Sequence, residues 1–288
     1  MDIEYTDVEW DEYDNRVGRA FDGFLTASDD LETVRAEAVA FIGETVAAAG
    51  ADGVVVAMSG GVDSTLTAAL AVEAVGGENV LGLALPYKKT DGRHTNEART
   101  MAEGLGIEFR AVSLRPVLDR FEDLIAPAID PDGDVRTIGN VIARLRMLCA
   151  YYAANAGNRL VLGTSNRSEL LLGYFTKHGD GAADLYPIGD LYKREVRALA
   201  DRVGLPQRLL YKEPTAGLWT GQTDRDELGA PYDAIDPILH SLVERDRGID
   251  ETAERLGADR RTVEGIARRC VETWHKRSPM PTPGRGER

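Results

Sequence analysis

The chain has 288 residues, of which 34 are Lys or Arg and 48 are Asp or Glu, for a net charge of −14. That negative field argues against a nucleic-acid-binding surface. No run of 18 apolar residues occurs, and the acidic start Met1-Asp2-Ile3-Glu4-Tyr5 lacks the basic-then-apolar pattern of a signal peptide, so the reading is a soluble cytoplasmic protein without a membrane span. Residues 1–30 read as an acidic arm. Leu31 to Ala49 has helical spacing, with Ser28, Asp29 and Asp30 as capping candidates and Gly50 as its stop. Gly53 to Met58 is a β-branched, apolar run expected to be a buried strand, and a helix follows over Thr65 to Val75. Asn79 to Leu85 is a second strand, Thr95 to Leu105 a helix stopped by Gly106, and Ile107 to Leu114 a third strand. A short helix is expected within Pro116 to Pro127 and a longer one over Ile138 to Ala156. Arg159 to Leu162 is a fourth strand.

Alternation of strand and helix predicts an α/β fold with a doubly wound parallel sheet, whose ligands lie at the C-terminal ends of the strands. Beyond Asp190 the pattern turns helical, with Tyr192 to Val203 and one or two further helices within Ser241 to Arg269. Gly173 to Gly189 and Lys212 to Gly229 read as functional loops. The expected organisation is an arm over 1–30, one domain over 31–277 with a helical C-terminal part, and a flexible Pro/Gly/Arg-rich tail over 278–288.

Composition carries two further signals. Cys149 and Cys270 lack metal or disulfide spacing and read as inert thiols of a reducing compartment. Only 6 of the 34 basic residues are Lys. An acidic surface nearly emptied of lysine fits adaptation to high intracellular salt, a halophilic source, with a GC-rich coding bias as the alternative. The survivors, Lys88, Lys89, Lys177, Lys193, Lys212 and Lys276, are then enriched for positions that need an ammonium.

The strongest local signal is Ser59-Gly60-Gly61-Val62-Asp63-Ser64 between the first strand and its helix. A glycine turn that opens a helix presents backbone N–H groups and the positive end of the helix dipole to an anion. The Lys of a Walker A loop is absent. SGGVDS resembles instead the pyrophosphate loop of the enzymes that cleave ATP between its α and β phosphates, in which the Asp helps to hold magnesium.

A narrower resemblance rests on Gly163-Thr164-Ser165-Asn166-Arg167-Ser168-Glu169, on Gly173-Tyr174-Phe175-Thr176-Lys177 with Gly179-Asp180-Gly181, on Pro187-Ile188-Gly189-Asp190-Leu191-Tyr192-Lys193 and on Leu218-Trp219-Thr220-Gly221-Gln222-Thr223-Asp224. Together these resemble NAD synthetase, over roughly residues 31–277, with the adenine nucleotide alpha hydrolase type of Rossmann-like fold. The resemblance implies that the carboxylate of deamido-NAD attacks the α-phosphate of ATP and that ammonia then displaces AMP. It implies that Ser59, Gly60, Gly61, Val62 and Ser64 cradle phosphate, that Asp63 and Glu169 bind Mg²⁺, and that Lys193, a catalytic residue together with these acids, binds ATP along with Thr164 and Thr215. Asn140, Arg144, Lys177, Asp184, His275 and Lys276 match deamido-NAD contacts, with Arg146 competing for the role of Arg144. A homodimer is also implied. About 50 residues precede the loop and contain no Cys, too few for a glutamine amidase module, so free ammonia is the expected nitrogen source.

Lys88 to Arg93 does not match the corresponding family loop closely, and the acidic arm has no recognised counterpart. Rival readings are another pyrophosphate-loop enzyme such as a tRNA thiolase, a non-catalytic nucleotide sensor, and a DNA-binding protein, since Asp250 to Arg269 fits a helix-turn-helix pattern.

Overall fold

The computed structural model describes residues 23–88, 92–215, 217 and 221–279. Most of the arm, the tail beyond residue 279 and Leu218-Trp219-Thr220 of the last motif lie outside the described residues. Among those described, four strands form one sheet: β1 (Gly53–Ala57), β2 (Val80–Ala84), β3 (Glu108–Ala111) and β4 (Arg159–Leu162). The helices are α1 (Ser28–Ala48), α2 (Val62–Val75), α3 (Gly92–Leu105), α4 (Arg115–Arg120), α5 (Ala126–Ile129), α6 (Val135–Ala156), α7 (Arg167–Leu171), α8 (Lys193–Arg202), α9 (Gln207–Leu210), α10 (Asp224–Leu228), α11 (Tyr232–Leu239), α12 (Ile249–Leu256) and α13 (Arg260–Glu272).

The sheet is wholly parallel in the order β3-β2-β1-β4, with Val54 beside both Val80 and Leu160. The chain therefore winds outward from β1 through β2 to β3, then crosses back to place β4 on the other side of β1. That reversal is the topological switch point of a doubly wound sheet, and it brings the loops after β1 and β4 side by side.

Alternation along β1 builds a core on each face. Val54 and Val56 join Ile42, Leu66 and Leu70 in the cluster under α1, α2, α3 and α8. Val55 points the other way, to Leu83, Ile142 and Val161 under α6. Burying each such side chain contributes about 1.5–3 kcal/mol, which is why the strand reads as a continuous apolar run. A third cluster, around Leu172, Tyr192, Ile235, Leu239 and Val263, packs the C-terminal helices.

Three expectations are revised. Strand β3 stops at Ala111 rather than Leu114: it is an edge strand, and Val112 is exposed. The region 116–127 is a composite, α4 followed by a π-helical turn at Phe121–Ile125 and then α5, a break that fits Pro127 having no N–H to donate. Helix α1 begins at Ser28 itself, with Ala27 at the N-cap and no side-chain cap bond. Asp29 and Asp30 sit in its first turn, where they complement the helix dipole without capping it. No described helix is long and apolar enough to cross a membrane.

Candidate active site

The loop after β1 is preorganised by its own side chains. Gly61 N–H donates to Ser59 Oγ (3.3 Å), the Ser59 and Ser64 hydroxyls lie 3.1 Å apart, and Thr65 Oγ1 donates to the Gly61 carbonyl (2.8 Å). Gly60 has φ +74°, and a Cβ there would stand 2.7 Å from the His94 carbonyl, so the turn needs glycine on both counts. Gly61 is the N-cap of α2 and gives no side-chain cap bond, so the helix presents backbone donors at the cavity wall.

The loop after β4 is organised by Asn166. It caps α7, accepting from Glu169 N–H (3.0 Å), while Glu169 Oε2 accepts from Asn166 N–H (3.4 Å). Asn166 Nδ2 also donates across the switch point to Asp63 Oδ1 (2.9 Å). One side chain thus fixes both acids. Between them stands Lys193, the first residue of α8 and 3 % exposed. Its Nζ donates to Asp63 Oδ2 (2.7 Å) and to Glu169 Oε1 (3.2 Å), and lies 5.1 Å from the Tyr232 ring centroid. The three residues expected to do the chemistry, far apart in sequence, meet at one point.

The electrostatics follow from burial. Desolvation pushes the Glu169 carboxyl far above the usual carboxylate range; Lys193 opposes that shift, and Asp63 and Asp224 add to it. Burial pulls the Lys193 ammonium down, but Asp63 and Glu169 outweigh it and hold the lysine charged, above its ordinary value. Asp224 is raised by burial too. It accepts from Tyr232 OH (3.0 Å) and lies 3.0 Å from Tyr174 OH, which is also 2.6 Å from Glu227.

Asp63, Glu169, Lys193, Tyr174, Asp224 and Glu227 line a cavity of about 480 Å³. Met58, Leu83, Met147 and Val161 make an apolar wall at the strand ends. Ser59, Gly61, Val62, Asp63, Thr164, Glu169, Lys193 and Thr215 line it, as do Asn140 and Lys276. Thr215 Oγ1 donates to the Gln222 carbonyl (2.7 Å). Lys276 Nζ donates to the carbonyls of Gly173 (2.8 Å) and Phe175 (3.0 Å), and its pKa is lowered by burial and by Arg269.

Four expected substrate contacts are not on the cavity wall. Arg144 Nε donates to the Lys177 carbonyl (3.3 Å), and Lys177 Nζ to the His275 carbonyl (2.5 Å), so these three form a separate exposed cluster. Asp184 accepts from Val161 N–H (2.7 Å) and Tyr151 OH (2.9 Å), bracing the end of β4. Gly60 and Ser64 shape the loop from behind. Arg146 rather than Arg144 lines the cavity, its Nε donating to the Leu85 carbonyl (3.3 Å).

Lys212 is the main residue that the sequence reading left without a role. Its Nζ donates to the Gly60 carbonyl (2.9 Å) and Glu97 Oε2 (2.6 Å) and lies 3.0 Å from His94 Nδ1. It fastens the segment around residue 212 to the loop after β1 and to α3. The scarcity of lysine was the available signal. Asp180, Asp224, Arg136 and Arg269 also line the cavity; the first two lie in loops read as functional.

The NAD synthase family model matches residues 34–280 of the chain. The chain belongs to the NAD synthase family. It is 44 % identical over 238 residues to an NH3-dependent NAD+ synthetase of Methanococcoides burtonii, covering 83 % of this chain and 89 % of that one. Its fold is similar to that of an NMN synthetase from Francisella tularensis, with a TM-score of 0.73 and 32 % identity over 88 % of this chain and 98 % of that one. It is also similar to an NH3-dependent NAD synthetase from Campylobacter jejuni, at 0.72 and 30 %, over 88 % and 97 %. The family match runs through α12 and α13, the segment with the helix-turn-helix pattern, where Val263, Ile266 and Ala267 of α13 are buried in the C-terminal core. The comparisons support the synthetase reading and not the DNA-binding or thiolase alternatives.

Proposed function

We propose that this NAD synthase family member amidates deamido-NAD to NAD with ATP and ammonia, through an adenylated intermediate. The observation that carries this reading is the ammonium of Lys193 held between Asp63 and Glu169, at the switch point and beside the open N-terminus of α2. A carboxylate is a poor acyl donor until one of its oxygens becomes a good leaving group. In the first step that oxygen attacks the α-phosphorus, the bond to the bridging oxygen breaks, and pyrophosphate leaves. In the second the ammonia lone pair attacks the carboxyl carbon, AMP departs with the former carboxylate oxygen, and the nitrogen loses a proton.

The chain's part is placement and charge neutralisation. The Gly61-capped helix end receives phosphate, Lys193 faces the reacting phosphorus, and the apolar strand ends accept the adenine. Asp63 and Glu169 are hard oxygen donors brought to one point. Two carboxylates completed by substrate phosphates is the way Mg²⁺ is usually bound, and no denser group of three metal-binding side chains occurs among the described residues. When bound there, Mg²⁺ would supply charge neutralisation on the phosphates.

The dinucleotide enters from the end lined by Asn140, Arg136, Arg146 and Lys276. Arg144, Lys177 and His275 then contribute from the rim of a dimer. Arg144, Leu148 and Tyr152 recur every four residues on α6, and Leu148 (64 %) and Tyr152 (77 %) are exposed. A second copy of the chain covering this face would bring the cluster next to the substrate. We read the protein as a cytoplasmic homodimer on this basis, and its acidic, lysine-poor surface as halophilic.

The deciding assay supplies purified protein with ATP, Mg²⁺ and either deamido-NAD or its mononucleotide counterpart, using ammonium or ammonia-free glutamine. NAD from deamido-NAD and ammonium is the expected product. Equal turnover on glutamine would overturn the ammonia assignment, and preference for the mononucleotide would overturn the substrate.

A further inference from the structure

The family match begins at residue 34, yet the segment just before it grips the helix that carries Lys193. Leu25 N–H donates to Glu195 Oε1 (2.7 Å), and Glu195 is fully buried. Its other oxygen, Oε2, accepts from Tyr192 N–H (2.7 Å), closing the first turn of α8. Phe24 sits edge-on to the Tyr192 ring (centroids 5.4 Å, 82°) and against His240 (5.1 Å), with the Arg194 guanidinium 4.3 Å from its centroid. Residues 192, 194 and 195 are thus all held by Phe24 and Leu25, and Lys193 lies among them.

The same turn is also held by the domain. Lys193 N–H donates to Ser168 Oγ (3.0 Å), whose hydroxyl donates to Asp236 Oδ1 (2.6 Å), and Arg194 N–H donates to Asp236 Oδ2 (2.9 Å). Pro237 in α11 leaves the Asp233 carbonyl without its helical donor, and Arg194 Nη2 donates to it instead (3.2 Å). Arg194 is therefore shared between α11 and Phe24. A helix end held by both sets of contacts cannot rotate about its axis without breaking one of them, and small rotations there move Nζ at the end of a long side chain.

We propose that Phe24 and Leu25, with Glu195 as their receptor, are positioning residues that fix the angle of α8 and so hold the Lys193 ammonium between Asp63 and Glu169. This rests on the reading that Lys193 serves the reacting phosphates. A misplacement of about 1 Å at such a group costs up to about a hundredfold in rate.

The test is ATP–pyrophosphate exchange in the full-length chain. Phe24→Ala is expected to lower kcat for exchange about tenfold while KM for deamido-NAD changes less than about twofold, and Phe24→Tyr, which keeps the ring, to restore it. Glu195→Gln, nearly isosteric, is expected to show the same kcat loss where Phe24→Ala proves too unstable to assay. In a Lys193→Met background, followed as residual exchange at high enzyme concentration, neither change is expected to lower the rate further, because residues acting through one group are not additive. A Lys193→Met protein damaged in exchange, with undamaged or fully additive Phe24→Ala and Glu195→Gln variants, would overturn the positioning role alone. A Lys193→Met protein with wild-type exchange would overturn the assignment of Lys193 and the proposal together.

Discussion

Lys193 decides more of this site than any other side chain, because its charge is what allows two carboxylates to face each other under cover. Replacing it with Met leaves Asp63 and Glu169 unpaired, and removing one partner of a buried ion pair typically costs about 3–5 kcal/mol. Both acids keep some exposure (18 % and 16 % of the side chain), so the lower end is expected. The loss should shrink on acidification, as the buried Glu169 carboxyl, already held above the usual carboxylate range, takes up a proton, and denaturant melts of the variant at pH 5 and pH 8 would show it; an equal loss at both would contradict the electrostatic account. Asp236 gives a second pH signature. Burial raises its carboxyl to about 6, partly offset by the bond from Ser168. A carboxyl raised in the folded state favours folding at low pH, so its contribution falls as pH rises from about 4 to about 6. The stability of wild type minus Asp236→Asn should therefore grow more positive as pH falls through that window, and a flat difference would refute it. Lys212→Met should raise KM for ATP about tenfold, with Lys212→Arg only a partial rescue, because Arg lacks the compact ammonium that serves three acceptors. Unchanged ATP kinetics in Lys212→Met would leave it a tether of the loop and nothing more.

At the scale of elements, what could be read from sequence was whatever depends on neighbours along the chain. The Val54–Val56 run, the glycine turn and the apolar run after it declared a buried strand, a tight turn and a helix of a parallel α/β sheet. What resisted reading depends on which way a helix turns. Asn140 and Arg144 share a face by the four-residue rule, but the cavity is lined by Arg136, Asn140, Ala143, Arg146, Met147 and Ala150. At about 100° per residue, Arg144 falls about 100° from the middle of that set, so it points out of the cavity while Arg146 lies within it. No local pattern on α6 distinguishes the two, since the answer is set by how α6 seats on β1 and β4. Lys212, Asp236 and the grip of Phe24 were hidden for the same reason: each acts on a residue more than 40 positions away.

The whole molecule combines an acidic surface with a site that concentrates charge on itself. With a net charge of −14, self-repulsion should grow as salt is withdrawn, because the Debye length lengthens from about 3 Å at 1 M to about 30 Å at 0.01 M. Melting temperature and activity should both fall in dilute buffer, and a salt-independent melt would favour coding bias as the origin of the Arg excess. The exposed face of α6 makes a matching forecast: Tyr152→Glu should shift the mass in solution from dimer to monomer, and an unchanged mass would place any dimer contact elsewhere. The central claim is that the carboxylate of deamido-NAD is activated by adenylation at the Asp63–Lys193–Glu169 centre. Its most direct test is isotopic. Deamido-NAD labelled with ¹⁸O in its carboxylate is turned over with ATP, Mg²⁺ and ammonium, and the products are weighed by mass spectrometry. The account predicts one labelled oxygen in the phosphate of AMP and none in pyrophosphate. Label in pyrophosphate, or NAD formed with unlabelled AMP, would contradict it.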